Sequence, residues 1–364
     1  MTRIDVDLGS RSYPVFVGAQ MLDRIGPWLA EYVHPSKVAL LSHSRVLRLH
    51  GAPLLTGLRQ AGLIAEPITV PAGERHKTMR TVARLWSRML HAGLDRRSVV
   101  IVLGGGVLGD TGGFAAATFM RGVRVVQAPT TLLAQVDASI GGKVGVDLPE
   151  GKNLVGAFHQ PSAVFADVHT LRTLPRRELR AGLAEVVKYG IICDEPFFRL
   201  VRSRSASLTS GDLAVLEPAV ARCCAIKAEV VAEDEREGGR RAILNFGHTL
   251  GHAVEALTGF SRYLHGEAVA IGMAAACAIG EVIGATRPDV TQQVRGALAD
   301  LGLSDRWPED LSPHDVLSSV QRDKKAVGGR PRFVLARDLG DVAVMDVSDE
   351  AVLAALGRLS SEGR

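Results

Sequence analysis

The chain has 364 residues, of which 46% are hydrophobic and 23% charged, and its formal charge at pH 7 is +4. That length exceeds the roughly 250 to 300 residues at which a single core stops growing, so two domains are the default expectation. The composition excludes a disordered or fibrous chain, the small net charge without a basic helix or tail gives no sign of a nucleic-acid partner, and no apolar run reaches the roughly 18 residues of a membrane span.

The opening MTRIDVDLGS carries acids in place of an apolar signal core, which points to the cytoplasm. Short β-branched runs over 13–17, Val38–Ser42, 68–70, 99–103 and 123–128 read as strands with helical periods between them. Within 78–94 the apolar residues Met79, Val82, Leu85, Met89 and Leu90 recur at three- and four-residue steps, as a helix packed on a sheet requires. This is the pattern of an α/β N-terminal nucleotide-binding domain with a mostly parallel sheet, expected over 1–172. From about Thr173 long helical periods take over. Thr173-Leu174-Pro175 opens a helix, Gly259 and Gly284 stop two more, and 332–336 with 342–345 form a late hairpin. Residues 173–364 are therefore expected to form a mainly α-helical metal- and substrate-binding domain. Cys193, Cys223, Cys224 and Cys277 show no C-x-x-C spacing and read as buried reduced thiols.

The strand at 99–103 runs into Gly104-Gly105-Gly106-Val107-Leu108-Gly109-Asp110, and a helix-compatible stretch over 113–118 follows. Backbone N–H groups at such a turn, with a helix start behind them, suit a pyrophosphate. Gly104, Gly106 and Gly109 satisfy G-x-G-x-x-G, but no acid follows about 20 residues later, so this is not an ordinary Rossmann fingerprint. The plain alternative is a tight turn that lets strand and helix pack. Upstream, Pro71-Ala72-Gly73-Glu74-Arg75-His76-Lys77 sets an acid and a lysine three apart, able to hold ribose hydroxyls or a nicotinamide amide, or else a solvated turn.

Only eight of the 43 basic residues are lysine, so arginine is the background cation of this chain. A lysine therefore hints at a need for a compact ammonium. Lys77, Lys143, Lys152, Lys188, Lys227, Lys324 and Lys325 all fall in motifs; Lys37 does not. The segment from Thr130-Thr131 through Asp137 and Gly141-Gly142-Lys143 to Gly151-Lys152-Asn153 offers an acid, two ammoniums and an amide beside glycines that permit close approach. Such a set fits a phosphorylated, hydroxylated substrate better than a plain surface loop.

Three of the eleven histidines fall within 248–265. His248 and His252 share a helical face at i, i+4, and the intervening chain suffices to present His265 from the next helix, so metal binding is geometrically easy. A carboxylate should complete the set, and Glu185 in Ala184-Glu185-Val186-Val187-Lys188 is a candidate. Glu185 and Lys188 lie opposite the apolar face of Leu179, Leu183, Val186 and Val187, a position that suits a cleft or water equally.

Together these segments resemble the dehydroquinate synthase family from Pro71 to Lys325. The ordered set comprises GGGVLGD from Gly104, FMRG ending at Gly122, PTTLLAQVDASIGGK ending at Lys143 and GKNLVGAFHQP ending at Pro161. It continues with GLAEVVKYG ending at Gly190, LNFGHTLGHAVE ending at Glu255 and LHGEAVAIGM ending at Met273. The resemblance implies NAD held between the domains by Ala72, Gly73, Glu74, Arg75, His76 and Lys77, by Gly106, Val107, Leu108, Gly109 and Asp110, by Thr130 and Thr131, and by Thr170, Leu171, Arg172 and Thr173. Lys143 and Lys152 would lie close to cofactor and substrate. It implies one divalent metal, zinc with cobalt as the alternative, on Glu185, His248 and His265, with His252 near the reacting end of the substrate. Arg121, Asp137, Lys152, Asn153, Lys188, Lys227, Arg241, Asn245 and one of Lys324 or Lys325 would surround the carboxylate, hydroxyls and phosphate.

The implied reaction converts 3-deoxy-D-arabino-heptulosonate 7-phosphate to 3-dehydroquinate and phosphate. It proceeds through transient oxidation by NAD, phosphate loss, re-reduction and intramolecular aldol closure, in a homodimer with no membrane or nucleic-acid partner. Asp147 stands where many relatives have asparagine, and Ser42-His43-Ser44 lacks the acid that some relatives place on the adenosine ribose. The rival readings are another sugar phosphate cyclase, making a valiolone or inosose-type ring, a metal-dependent alcohol dehydrogenase that would release NADH, and a non-enzymatic NAD-binding module.

Overall fold

A computed structural model describes residues 1–322 and 332–362, so Lys324 and Lys325 lie outside the described residues. By their contacts the residues form two units, Met1–Pro175 with Leu216–Arg236, and Arg176–Val215 with Glu237–Arg364.

In the first unit the strands and helices run β1 (Thr2–Val6), β2 (Tyr13–Gly18), α1 (Ile25–Tyr32), β3 (Val38–Ser42), α2 (Ser44–Gln60), β4 (Ala65–Thr69), α3 (Met79–His91), β5 (Val99–Gly104), α4 (Gly106–Thr118), β6 (Arg124–Pro129), β7 (Lys143–Leu148), β8 (Gly151–Phe158) and β9 (Ala163–Asp167). Seven strands form one sheet in the order β1-β2-β9-β6-β5-β3-β4. All neighbours are parallel except β1 and β2. The reason lies in the side chains: β3 and β5 are apolar at nearly every position and buried throughout, as strands covered on both faces must be. Val38, Leu40, Val99, Ile101 and Leu103 pack with Ile25, Leu29, Leu54 and Leu58 of α1 and α2. Their neighbours Ala39, Leu41, Val100 and Val102 face the other way, onto Val82, Leu85 and Met89 of α3 and Leu108 of α4.

The sequence pattern overstates the α3 stripe, because Met79 and Leu90 are exposed at 38% and 60% while Trp86 packs in their place. Strand β4 begins at Ala65, earlier than the apolar run suggests. The expected ligand loop around Lys143 to Asn153 is a two-stranded antiparallel ribbon, β7 with β8. Its backbones meet closely at Gly145 and Gly156, where an added Cβ would lie 2.6 Å from the Val155 oxygen and 2.3 Å from the Val144 oxygen.

The second unit holds α5 (Arg176–Cys193), α6 (Glu195–Ser203) and α7 (Ser205–Ser210); α8 (Leu213–Glu233) starts here, although its residues from Leu216 belong to the first unit. After it come α9 (His248–Leu257), α10 (His265–Val282), α11 (Pro288–Asp300), α12 (Pro313–Arg322), the antiparallel hairpin β10 (Arg332–Asp338) with β11 (Asp341–Asp346), and α13 (Asp349–Glu362). Helix α10 packs against α5, α9, α11, α13 and β10. Small residues make this possible: a Cβ at Gly266 would lie 1.8 Å from the Ala181 oxygen, and one at Gly272 would lie 2.0 Å from the Gly247 oxygen. Gly259 and Gly284 follow the ends of α9 and α10 at φ +66° and +71°, the left-handed stops that glycine favours. No described helix is long and apolar enough to cross a membrane.

Candidate active site

In the first unit the polar candidates collect at the carboxyl ends of the parallel strands. The turn Glu74–His76 follows β4, the glycine turn follows β5, Thr130 and Thr131 follow β6, and the turn Val168–Thr173 follows β9. The chain leaves β3 for the edge strand β4 and returns to the other side of β3 as β5, which makes a switch point of the kind where open α/β sheets bind ligands. Helix α4 starts at Gly106 with Gly105 as its cap and no side-chain cap bond. Its first-turn N–H groups and dipole therefore suit an anion. Gln135 ties the neighbouring strand ends together, its Nε2 donating to the Pro129 oxygen at 3.1 Å, the Asp167 oxygen at 2.9 Å and Thr170 Oγ1 at 3.2 Å. Thr173 Oγ1 lies 2.8 Å from His50 Nε2.

Five of the expected residues and one that was only a departure from the family pattern form a cluster beside this edge. Lys77 is buried; its ammonium donates to Asp110 Oδ2 at 2.6 Å and to Asn153 Oδ1. Burial alone would lower the Lys77 pKa, but the Asp110 charge and hydrogen bond outweigh it and hold the ammonium above its ordinary value. Burial pushes the Asp110 carboxyl up, against the pull of Lys77. The Asp147 N–H donates to the Lys77 oxygen at 2.8 Å, and Asp147 Oδ1 accepts from the Asn153 N–H at 2.8 Å. An asparagine oxygen would accept the same bond, so this departure preserves the contact. Lys152 lies 3.5 Å from Glu74, and the Gly106 end of α4 carries Asp110 into the group. Elsewhere in the unit, Lys227 donates to both the backbone oxygen and Oδ1 of Asp137 at 2.6 Å. Arg121 is exposed at φ +70° in the turn Phe119–Arg121, and Lys143 is exposed at the start of β7.

In the second unit the donor atoms of Glu185, His248 and His265 lie within 4.8 Å of one another. His248 and His265 are the first residues of α9 and α10, and Glu185 sits on α5 one turn beyond Ala181, the residue that Gly266 touches. Glu185 is fully buried and Lys188 is 1% exposed, so the side of α5 opposite its apolar face meets protein and not water. The Lys188 ammonium contacts the Glu185 carboxylate and donates to the Leu244 oxygen at 2.8 Å. Yet neither Glu185 oxygen accepts a hydrogen bond of good geometry among the described residues. Buried carboxylate oxygens without hydrogen bonds are costly, and a divalent ion beside the Lys188 ammonium would relieve the cost.

Spacing makes the case for a divalent ion. Two ligands about 2.0–2.1 Å from a tetrahedral zinc are about 3.3 Å apart. His248 Nε2 is 3.4 Å from Glu185 Oε1 and His265 Nε2 is 4.0 Å from it, so one pair matches and the other needs a small closure. The residues present fit the ion. His252 joins the group with ring centroids 5.5 Å from His248 and 5.7 Å from His265. Arg241 is buried on the turn Arg240–Asn245, and Asn245 Nδ2 donates to Glu237 Oε1 at 2.7 Å. Glu237 and Glu255 are acids to which the sequence reading gave no role; Glu255 had a signal, since seven residues after His248 it returns to the same helical face.

Comparison with known proteins places the chain in a class. The structure matches that of ValA, the 2-epi-5-epi-valiolone synthase of Streptomyces hygroscopicus subsp. jinggangensis, solved with NAD+ and Zn2+ bound. The TM-score is 0.88 at 29% identity over 96% of this chain and 97% of that one. The fold is thus that of the sugar phosphate cyclases. Within that class, residues 67–181 match the family model for the 3-dehydroquinate synthase N-terminal domain and residues 182–326 the model for its C-terminal domain. The 3-dehydroquinate synthase of Symbiobacterium thermophilum is 50% identical over 95% of this chain and 98% of its own length. That of Desulforamulus reducens is 46% identical over 98% of this chain and its whole length. The chain belongs to the 3-dehydroquinate synthase family.

Proposed function

We propose that this chain converts 3-deoxy-D-arabino-heptulosonate 7-phosphate to 3-dehydroquinate and phosphate, with NAD as a recycled oxidant and one divalent ion, zinc. The observation that carries the reading is the Glu185, His248 and His265 cluster beside the buried Lys188, in a chain of this family. In the first unit the uncapped start of α4 and the Lys77, Asp110 and Asn153 cluster support a cofactor site. The bound groups would supply Lewis acidity at a substrate hydroxyl and a hydride acceptor that is restored before release.

The chain's own residues would do the rest. Lys188 is held by the Leu244 oxygen and the Glu185 carboxylate, so its ammonium has one orientation in which to steady a developing oxyanion. Lys152 and Lys227 offer compact ammoniums to a dianionic phosphate, and Arg241 offers a planar fork to a carboxylate. Asn245, fixed by Glu237, would bind a hydroxyl. A homodimer in the cytoplasm belongs to the same proposal and is supported by the family resemblance.

The competing reading is a cyclase that makes a valiolone-type ring, because ValA shares the fold. Supplying purified enzyme with the heptulosonate phosphate and with a heptulose phosphate that lacks the carboxylate separates the two. The proposal expects phosphate release from the first alone, and release from the second alone would overturn it.

A further inference from the structure

The two histidines of the Glu185 cluster are anchored by different acceptors. His248 Nδ1 lies 3.1 Å from the Phe246 backbone oxygen, whereas His265 Nδ1 lies 3.1 Å from Glu255 Oε2. A carbonyl and a carboxylate only accept, so each Nδ1 carries the proton, and the neutral ring that binds a metal keeps its lone pair on Nε2. These are the nitrogens that lie 3.4 and 4.0 Å from Glu185 Oε1. The side chain of Glu255 is 4% exposed while that of His265 is 33% exposed, so the acid is the fixed partner and the histidine the one that needs fixing. Close packing of α9 on α10 secures the pair, since a Cβ at Gly251 would lie 3.0 Å from the Ala268 oxygen.

We propose that Glu255 is a positioning residue for the divalent ion. It sets the tautomer and ring orientation of His265 and, through its negative charge, strengthens Nε2 as a donor. The inference rests on the reading that Glu185, His248 and His265 hold the ion. His265 needs this help more than His248 does, because it is the outlying member of the cluster. A second grouping of His252, Glu255 and His265 also brings donor atoms within 4.8 Å, and there Glu255 would itself be a ligand. The geometry favours the positioning role. Glu255 already engages the His265 Nδ1 proton, whereas the buried Glu185 oxygens accept no hydrogen bond among the described residues and Oε1 lies 3.4 Å from His248 Nε2, a spacing suited to a shared ion.

The test is metal affinity, measured by titrating metal-stripped full-length protein with Zn2+ or Co2+ against a chromophoric chelator. The set is the unmodified chain, Glu255→Ala, Glu255→Gln and Glu185→Ala, each checked for folding by circular dichroism and for melting without metal. Loss of Glu255 in the alanine variant should weaken binding on the order of 10- to 100-fold. The glutamine variant keeps an acceptor for Nδ1 without the charge and should fall between. A folded Glu255→Ala protein with unchanged affinity would overturn the inference. So would a variant whose only change is a lower melting temperature without metal, or a result in which Glu255→Ala abolishes binding and Glu185→Ala does not. If the unmodified chain binds no ion, the metal reading falls and the inference with it; if it binds and the alanine variant matches it, only the role of Glu255 falls.

Discussion

Gly266 is where helix packing meets the spacing of the proposed metal ligands, and replacing it with alanine tests both. A Cβ there would lie 1.8 Å from the Ala181 oxygen of α5. An ordinary C···O contact is about 3.3 Å, so α10 would have to back away from α5 by about 1.5 Å. Gly266 follows His265, and Glu185 lies one turn beyond Ala181, so the same displacement acts on a pair already 4.0 Å apart. That spacing exceeds the roughly 3.3 Å that a tetrahedral ion asks of two ligands, and widening it removes His265 from the set. The overpacking should cost about 1–3 kcal/mol. Gly357 is the control: it is exposed inside α13 with nothing within 4 Å of an added Cβ, so alanine there should stabilise by about 0.5–1 kcal/mol. Urea unfolding and bound metal would be read on both variants. Unchanged stability together with full metal content in Gly266→Ala would refute the reasoning that small residues on α10 set the cluster.

His265→Ala should lose most bound metal while the helices survive, measured by elemental analysis of folded protein. Gly106→Val should weaken NAD binding in a calorimetric titration; because a Cβ there already lies 3.3 Å from the Ala138 Cβ, a smaller loss in Gly106→Ala is expected alongside it. Lys152→Arg should keep the melting temperature yet lose most turnover, since Lys152 is partly exposed at 26% beside Glu74. Lys188→Arg should lose turnover and also stability, because a larger guanidinium must fit a site that is 1% exposed. Burial pushes Cys224 and Cys277 up to about 12, so a thiol reagent at pH 8 should label native protein at half-buried Cys193 and reach the other three thiols only on unfolding.

The parallel core strands were legible because continuous apolar runs such as β3 and β5 are what burial on both faces demands. The β7 and β8 ribbon was not, although Val144, Val146 and Leu148 alternate with Lys143, Gly145 and Asp147 in β7, because Gly151, Lys152 and Asn153 open β8 with no such period. Nor was the assignment of Leu216–Arg236 to the first unit, because an apolar helical stripe does not say which core it faces. The histidine trio stood out through the i, i+4 spacing and its closeness in sequence. The surroundings of Glu185 did not, because whether the second side of α5 meets protein or water depends on the close approach of α10 at Gly266, a contact 85 residues away along the chain. Glu255 lay in plain view on the face of His248, but its partner His265 is on another helix, so only the fold pairs them.

A cyclisation without net redox change fixes one stoichiometry. Purified, metal-loaded enzyme receives the heptulosonate phosphate and NAD in amounts far below the substrate, and phosphate and NADH are followed together. Phosphate release should run to the full amount of substrate with no accumulation of NADH. NADH that builds up until the NAD is exhausted, with phosphate retained on the product, would contradict it and return the chain to the alcohol dehydrogenase reading.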